Sequence, residues 1–403
     1  MKIYGQHEAR TIQQLQRCAD AEEGALAVLC ADGHVGYSMP IGGVVAYRGY
    51  VSPSGVGYDI ACGNLAVQTN LLVEDVQDTE WARLADEIQR RVSFGVGRSN
   101  NELVESPVFD RIASSPIPEQ RSLLTLAQAQ LGTVGSGNHY VDVLEDEVGF
   151  LWVGVHFGSR GFGHKTATGF MNIAHGRSFS EGKVGGEMDA PPLLLPIDSP
   201  SGQDYIEAMQ IAGEYAYAGR EAVVQKVLSI LGTWSRFEVH NHHNFAWHEQ
   251  HNGAPMWVVR KGATPAFPGQ YGFVGGSMGD ISVILRGVDS DASREALYST
   301  VHGAGRVMSR TQAAGKQKWI AGEDGRKRPQ RVGKGLVDFT AEKARLVTQG
   351  VVLRGAGADE APPVYRSLRT VLDAHLGTIE IVHTLRPRIV VMAGGDEFDP
   401  YKD

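Results

Sequence analysis

The chain has 403 residues, 42% of them hydrophobic and 21% charged, with 38 basic and 46 acidic residues for a formal net charge of −8. That composition suits a globular protein with a sizeable core and excludes a disordered chain, and the acidic balance means that a polyanionic partner needs a local basic patch. No apolar run approaches the ~20 residues of a membrane span, Met1–Arg10 lacks the apolar stretch of a secretory signal, and Cys18, Cys30 and Cys62 cannot form a disulfide framework, so a cytoplasmic protein is expected.

In chain order, Leu65–Leu72 is the first strand-like run. Trp81, Leu84, Ala85, Ile88 and Val92 recur at helical spacing, which predicts a helix over Asp78–Val92 with Asp78 as N-cap. Ser114–Gln120 reads as a loop and Leu151–His156 as a strand. Glu181–Gln203, with Gly185–Gly186 and Pro191, Pro192, Pro196 and Pro200, reads as a loop insertion. Tyr205–Leu231 contains no proline and predicts one long buried helix, with Gly213 and Gly219 as candidate breaks. Strand-like runs follow at Phe237–His240, Met256–Val259 and Ile281–Leu285, then amphipathic helices at Asp338–Thr348 and Pro363–His375, and a last strand at Ile389–Met392. Length alone permits two or three domains or one large one. Chemistry-bearing segments lie on both sides of 181–203, which favours a single α+β domain over residues 1–403.

Glycine is unusually abundant, 50 of 403 residues, and flanks most of the candidate chemistry. Asp59 and Cys62 share GVGYDIACGN, His139 sits in LGTVGSGNHY and His156 in VHFGSRGFGH. His240, His242 and His243 sit in EVHNHHNF, and His302 in HGAGR. Taken singly, each is compatible with a structural side chain. Together, a carboxylate, a thiol and several imidazoles are the ligand types of a transition-metal site of borderline softness. A cysteine-rich structural zinc site is excluded, because only one cysteine is near the cluster.

A second group suits phosphate. GSRGFGH (Gly158–His164), GGSMGDIS (Gly275–Ser282) and HGAGRVMSR (His302–Arg310) combine glycine with hydroxyl or guanidinium donors. Turns of this kind form anion nests, and Arg160, Arg306 and Arg310 can grip phosphate bidentately. Each segment alone is equally a glycine turn with a surface arginine. None matches the P-loop pattern. From Arg306 to Lys334 a basic run (Arg306, Arg310, Lys316, Lys318, Arg326, Lys327, Arg328, Arg331, Lys334) is opposed only by Glu323 and Asp324. It is either a solvated loop or the required local patch.

These segments resemble the RtcB family of RNA ligases. The resemblance is carried by DGHVGYSMPIGGVVA (Asp32–Ala46), VSPSGVGYDIACG (Val51–Gly63), LGTVGSGNHY, VHFGSRGFGH, HHNFAWHE (His242–Glu249), RKGATPAFPGQYG (Arg260–Gly272), GGSMGDIS, HGAGRVMSR and DEAPPVY (Asp359–Tyr365), in family order from about residue 30 onward. It implies a mixed β-sheet core flanked by helices, with a metal site on glycine-rich strand ends. It also implies two Mn2+ ions, GTP as nucleotide and RNA as substrate. The activity implied is the joining of RNA ends bearing a 3′-phosphate or 2′,3′-cyclic phosphate to 5′-hydroxyl ends, in RNA repair or tRNA splicing, with an archease-type activator as a candidate partner.

The resemblance also implies roles. Asp59, Cys62, His139, His156 and His243 match metal ligands, with Cys62 shared by two ions. His302 matches the nucleophile that carries GMP. Asn138, Tyr140, Asp142, Ser277, Ser282, Gly303, Ala304, Gly305 and Tyr365 match nucleotide-contacting positions, and Arg160, Arg306 and Arg310 match RNA-phosphate contacts. Three positions depart from the family: Asp142 stands for a glutamate, Met392 or its neighbour Ala393 for a lysine, and Val301 for a cysteine. The first two touch the nucleotide pocket. They leave open a metal-dependent RNA end-processing enzyme, a cyclic-phosphate hydrolase or a 3′-end capping activity without efficient ligation. A non-catalytic RNA-end binder is disfavoured by the intact Asp/Cys/His set.

Overall fold

The computed structural model describes residues 1–182, 187–321, 327–395 and 397, leaving undescribed the side chains of 317–319, 321 and 327–331. Two sheets form its frame. The larger, of eight strands, runs in the order Ser235–His242, Gly63–Leu72, Phe150–Phe157, Tyr140–Glu145, Ile379–Gly394, Ser282–Gly287 and Tyr271–Val274, with Val352–Ala356 pairing in parallel with Ile379–Gly394. The smaller, of five, runs Lys2–Ile3, Leu26–His34, Ile41–Tyr47, Ala254–Lys261 and Asn244–His251.

Alternation along the strands decides what each face covers. Val141, Val143, Val153, Val155, Ile389 and Val391 pack with Leu65 and Val67 against the helix Glu80–Arg91 and against Val223, Val224, Val227 and Leu228 of the long helix. The intervening residues Tyr140 and Asp142, with Val390 and Met392 on the neighbouring strand, point the other way, into the cavity described below. The earlier half of the long helix packs with the helices Ala9–Ala19 and Arg160–Ala174 on the smaller sheet.

Most predicted strands lie inside longer observed ones; Ile281 falls just outside Ser282–Gly287. The long helix spans Pro200–Leu231 unbroken, capped by Ser199 whose hydroxyl accepts from Gly202 N. Pro200 is favourable there because the first turn needs no amide donor, so Pro200–Gln203 is helix rather than loop. The remainder of 181–203 is irregular where described, apart from Leu195–Pro196, which pairs with Tyr50–Val51. Gly185–Gly186 lie outside the described residues. The helix expected over Asp78–Val92 starts at Glu80, and its N-cap is Thr79 rather than Asp78. Pro363–His375 is not one helix. A 3₁₀ turn at Pro362–Val364 precedes a short helix at Leu368–Asp373, with Tyr365 and Ser367 extended between them; proline suits the start of the turn but cannot donate to a continuing helix. GSRGFGH is not a free turn either: Arg160 opens the helix Arg160–Ala174. Within 114–120, Pro118 begins the four-residue helix Pro118–Arg121. No helix among the described residues is long and apolar enough to cross a membrane.

Candidate functional site

A cavity of about 380 Å³ opens between the two sheets, lined by residues from strand ends and from the turns between them. Asp59 and Cys62 reach it from the turn before Gly63–Leu72, His139 from the turn before Tyr140–Glu145, and His156 from the end of Phe150–Phe157. His243 comes from the single residue between two consecutive strands. Close backbone approach makes this possible. A Cβ at Gly158 would lie 2.2 Å from Asp59 Oδ1, and one at Gly63 would lie 2.2 Å from the Asn241 carbonyl. Glycine beside the ligand-type residues is therefore a packing requirement of the cluster.

Two groups of ligand-type atoms share Cys62: Cys62, His156 and His243 form one, and Asp59, Cys62 and His139 the other. Cys62 Sγ lies 3.3 Å from His156 Nε2 and 3.7 Å from His139 Nε2, and His156 Nε2 lies 3.3 Å from His243 Nε2. His139 Nε2 is 3.2 Å from Asp59 Oδ2. His156 Nδ1 is 3.0 Å from the Asn138 carbonyl. That carbonyl can only accept, so Nδ1 carries the hydrogen and Nε2 presents its lone pair. Burial, helped by His139 and His302, holds His156 well below its ordinary value, and burial with His302 and His156 does the same to His243. Burial and the Asp59 charge push the Cys62 thiol up. Burial alone would raise the Asp59 carboxyl, but the His139 ring beside it prevails and holds it low. Three imidazoles, a thiol and a carboxylate thus converge, and Nδ1 of His139 and of His243 are buried and unpartnered among the described residues. The donor set fits a divalent transition ion, and Cys62 belongs to both groups.

His302 stands beside this cluster, its ring centroid 4.9 Å from that of His243. Asp32, fully buried, accepts from His302 Nδ1 at 2.6 Å, from His302 N at 3.0 Å and from Gly303 N at 3.4 Å. Burial works against the Asp32 charge, but the His302 contacts outweigh it and hold the carboxyl below the ordinary range. Nδ1 therefore carries the hydrogen, which leaves the lone pair on Nε2. Asp32 carries no expected role from sequence alone; its one signal there is an aspartate in a glycine-flanked DGH segment.

Beyond His302, the cavity is lined by Gly303, Ala304, Gly305, Ser277, Asn138, Tyr140, Asp142, Met392, Arg306, Arg310 and Tyr365. Arg306 and Arg310 both face buried Glu360, at 3.4 Å and 3.3 Å, and the Tyr365 hydroxyl donates to the same carboxylate. Glu360 also escaped the sequence reading. Asp142 is buried with Oδ1 unpartnered, and burial pushes its carboxyl well up. Met392, not Ala393, is the cavity-lining residue of its pair.

Two predicted residues do not line the cavity. Ser282 is buried behind it, where its hydroxyl accepts from Gly276 N at 3.2 Å. Arg160 packs with His139 over Gly135, and its Nη2 donates to the Gly95 carbonyl at 3.2 Å. Of the basic run, Arg306 and Arg310 reach the cavity while Lys316 and Lys334 are exposed. Arg326, Glu323 and Asp324, and the side chains of Lys318, Lys327, Arg328 and Arg331, lie outside what is described.

Residues 14–116 and 113–393 match the family model described as tRNA-splicing ligase RtcB. The chain is 31% identical over 385 residues to the RNA-splicing ligase RtcB of Escherichia coli strain K12, covering 89% of this chain and 88% of that protein. It is 33% identical over 442 residues to the tRNA-splicing ligase RtcB of Archaeoglobus fulgidus, covering 90% and 86%. It is 27% identical over 463 residues to RNA-splicing ligase RtcB homolog 1 of Entamoeba dispar, covering 94% and 81%.

Proposed function

The chain belongs to the RtcB family of RNA-splicing ligases, and on that premise we propose that it joins RNA ends bearing a 3′-phosphate or 2′,3′-cyclic phosphate to 5′-hydroxyl ends, with GTP consumed and Mn2+ as the cation. The 2.6 Å contact between Asp32 and His302 Nδ1 carries this reading, because it frees Nε2 as a nucleophile beside the ligand cluster.

Nε2 of His302 attacks the α-phosphorus of GTP; a P–N bond forms and the bond to pyrophosphate breaks. Asp32 balances the positive charge that develops on the ring. A 2′,3′-cyclic end is first opened by water, which breaks the bond from phosphorus to O2′ and leaves a 2′-hydroxyl and a 3′-phosphate; an oxygen of the RNA 3′-phosphate then takes the GMP from His302, breaking the P–N bond and restoring the ring. The 5′-hydroxyl next attacks the activated phosphorus, loses its proton and displaces GMP. Two Mn2+ ions held by Asp59, Cys62, His139, His156 and His243 would withdraw charge from the reacting phosphates. Backbone amides of Gly303–Gly305 and the guanidiniums of Arg306 and Arg310 hold phosphate oxygens, Asn138, Tyr140, Asp142, Ser277 and Tyr365 enclose the nucleotide, and Arg160 and Ser282 support the site from behind. Residues 1–403 act as one catalytic domain, in the cytoplasm, with an archease-type protein as activator.

The test is incubation with α-labelled GTP and Mn2+ followed by a denaturing gel, then addition of RNA with defined ends. The expected results are a labelled protein band, absent in His302→Ala, and a joined RNA. A second reading, RNA end processing without efficient ligation, is favoured by Met392 lining the same cavity as Asp142, opposite Tyr140 on the neighbouring strand. It predicts altered RNA ends and no joined product.

A further inference from the structure

Arg220, on the long helix Pro200–Leu231, is fully buried and forms no ion pair with a carboxylate among the described residues. Its Nη1 donates to the Ala61 carbonyl at 3.0 Å and to the Phe157 carbonyl at 2.7 Å. Its Nη2 donates to His242 Nδ1 at 3.0 Å, and its Nε to His240 Nε2 at 2.9 Å. A guanidinium has no acceptor, so both rings accept and are held in one tautomer. Ala61, Phe157 and His242 are the immediate chain neighbours of Cys62, His156 and His243.

We propose that Arg220 is a positioning residue that sets the mutual placement of Cys62, His156 and His243 for a divalent cation, by tying together the three backbone segments that carry them. This rests on the reading above that those residues ligate metal. The three segments lie where three neighbouring strands of the larger sheet end, at Gly63 paired with Phe157 and with His242, and beyond that last ladder pair one side chain reaches all three. The planar fork of arginine reaches four acceptors from three separated nitrogens, which the compact ammonium of lysine cannot do. One segment also needs restraint on its own account. Ala61 has φ 58°, a left-handed conformation that is unfavourable for a residue with a Cβ. The bond to its carbonyl and the one from its amide to the Asn244 carbonyl at 2.7 Å hold it there.

Charge and position make opposite demands, which gives the proposal a test by sign. A buried guanidinium repels an incoming cation, so if charge were its whole effect, Arg220→Met would bind metal more tightly. If position governs, Arg220→Met and Arg220→Lys both bind more weakly, by about 10–100-fold, as for other groups that orient metal ligands. Co2+ titration of the metal-free full-length protein, without GTP or RNA, reads this through the thiolate-to-cobalt absorption band. Arg260→Lys, at a buried arginine that pairs with Glu249 instead, controls for loss of stability alone. Weaker binding with an altered band in both Arg220 variants, and wild-type behaviour in the control, is the expected result. Equal or tighter binding with an unchanged band overturns the proposal. Should the Arg220 variants not fold, His242→Phe cuts one of the three ties while leaving Arg220 and the ligand-type residues in place. It should weaken binding several-fold, and wild-type affinity there also overturns the proposal. Absence of any cobalt–thiolate band in the wild type would instead refute the metal reading on which the proposal stands.

Discussion

Asp32 Oδ2 lies 2.6 Å from Nδ1 of His302, across 270 residues of chain. The same carboxylate receives the backbone amides of His302 and Gly303, so it fixes the ring's place, its tautomer and its charge together. Asp32→Asn keeps the shape but removes the negative charge: the two backbone amides that donate to Oδ2 hold the amide oxygen toward Nδ1, so the tautomer survives while the ring loses its counter-charge. GMP transfer should fall by about 10²–10³-fold, the scale of losing one stabiliser of developing charge. Single-turnover labelling at saturating GTP and Mn2+ checks this, with circular dichroism to confirm the fold.

Because Cys62 belongs to both ligand groups and His139 to one, their loss should differ in stoichiometry. Cys62→Ala should weaken binding of both Mn2+ ions, while His139→Ala should weaken one and leave the Cys62, His156, His243 group competent. Electron paramagnetic resonance titration counts bound Mn2+ in each variant. Unchanged affinity in Cys62→Ala would remove the site.

Met392 and Asp142 face the cavity from adjacent strands, and Asp142 has no cationic partner among the described residues. A lysine at 392 would supply charge for the α-phosphate or the departing pyrophosphate, worth roughly 2–4 kcal/mol at a water-poor site. Arg386 and Arg388 do not substitute: Arg386 is exposed, and Arg388 Nε binds Glu145 at 2.7 Å. Met392→Lys should therefore raise the single-turnover rate of GMP transfer by at least about tenfold. Equal rates would show that this position does not limit the chemistry.

Away from the cavity, Arg260 is fully buried and its Nη1 binds Glu249 Oε1 at 2.6 Å. Burial alone would raise the Glu249 carboxyl, but Arg260 and His251 outweigh it and lower it. A depressed carboxylate stabilises the fold above its unfolded value near 4.3, and that contribution is lost as pH falls through the lower folded value. Glu249→Gln should cost about 3–5 kcal/mol at neutral pH by leaving a buried charge unpaired. The gap to wild type should narrow below about pH 4, as denaturant titrations at several pH values can measure.

The ligand-type residues were legible because their chemistry is local: a thiol, a carboxylate and imidazoles beside glycines announce themselves in one dimension. Asp32, Glu360 and Arg220 were not. Their roles depend on partners hundreds or tens of residues away, and a buried aspartate or arginine looks the same in sequence as an exposed one. Strand cores such as Leu151–His156 could be read from apolar runs. Tyr140–Glu145 was missed because Tyr140 and Asp142 alternate with valines on a strand whose polar face lines a cavity rather than solvent. Pro363–His375 failed for a different reason: apolar spacing persisted across a proline-fixed turn that breaks the helix.

The strand Ile379–Gly394 sits inside the larger sheet, with Tyr140–Glu145 on one side and Ser282–Gly287 on the other. A ribosome releases those two neighbours first and must then add about a hundred more residues before the strand that joins them emerges. During that interval both carry open, hydrogen-bond-hungry edges, and the cavity between the sheets lacks the wall that Val390 and Met392 provide. The nascent chain is therefore exposed to mispairing for much of its synthesis. A transcript broken before this strand would yield a protein with no finished sheet, so the cell would meet such a fragment as a substrate for chaperones and proteases and never as a crippled ligase.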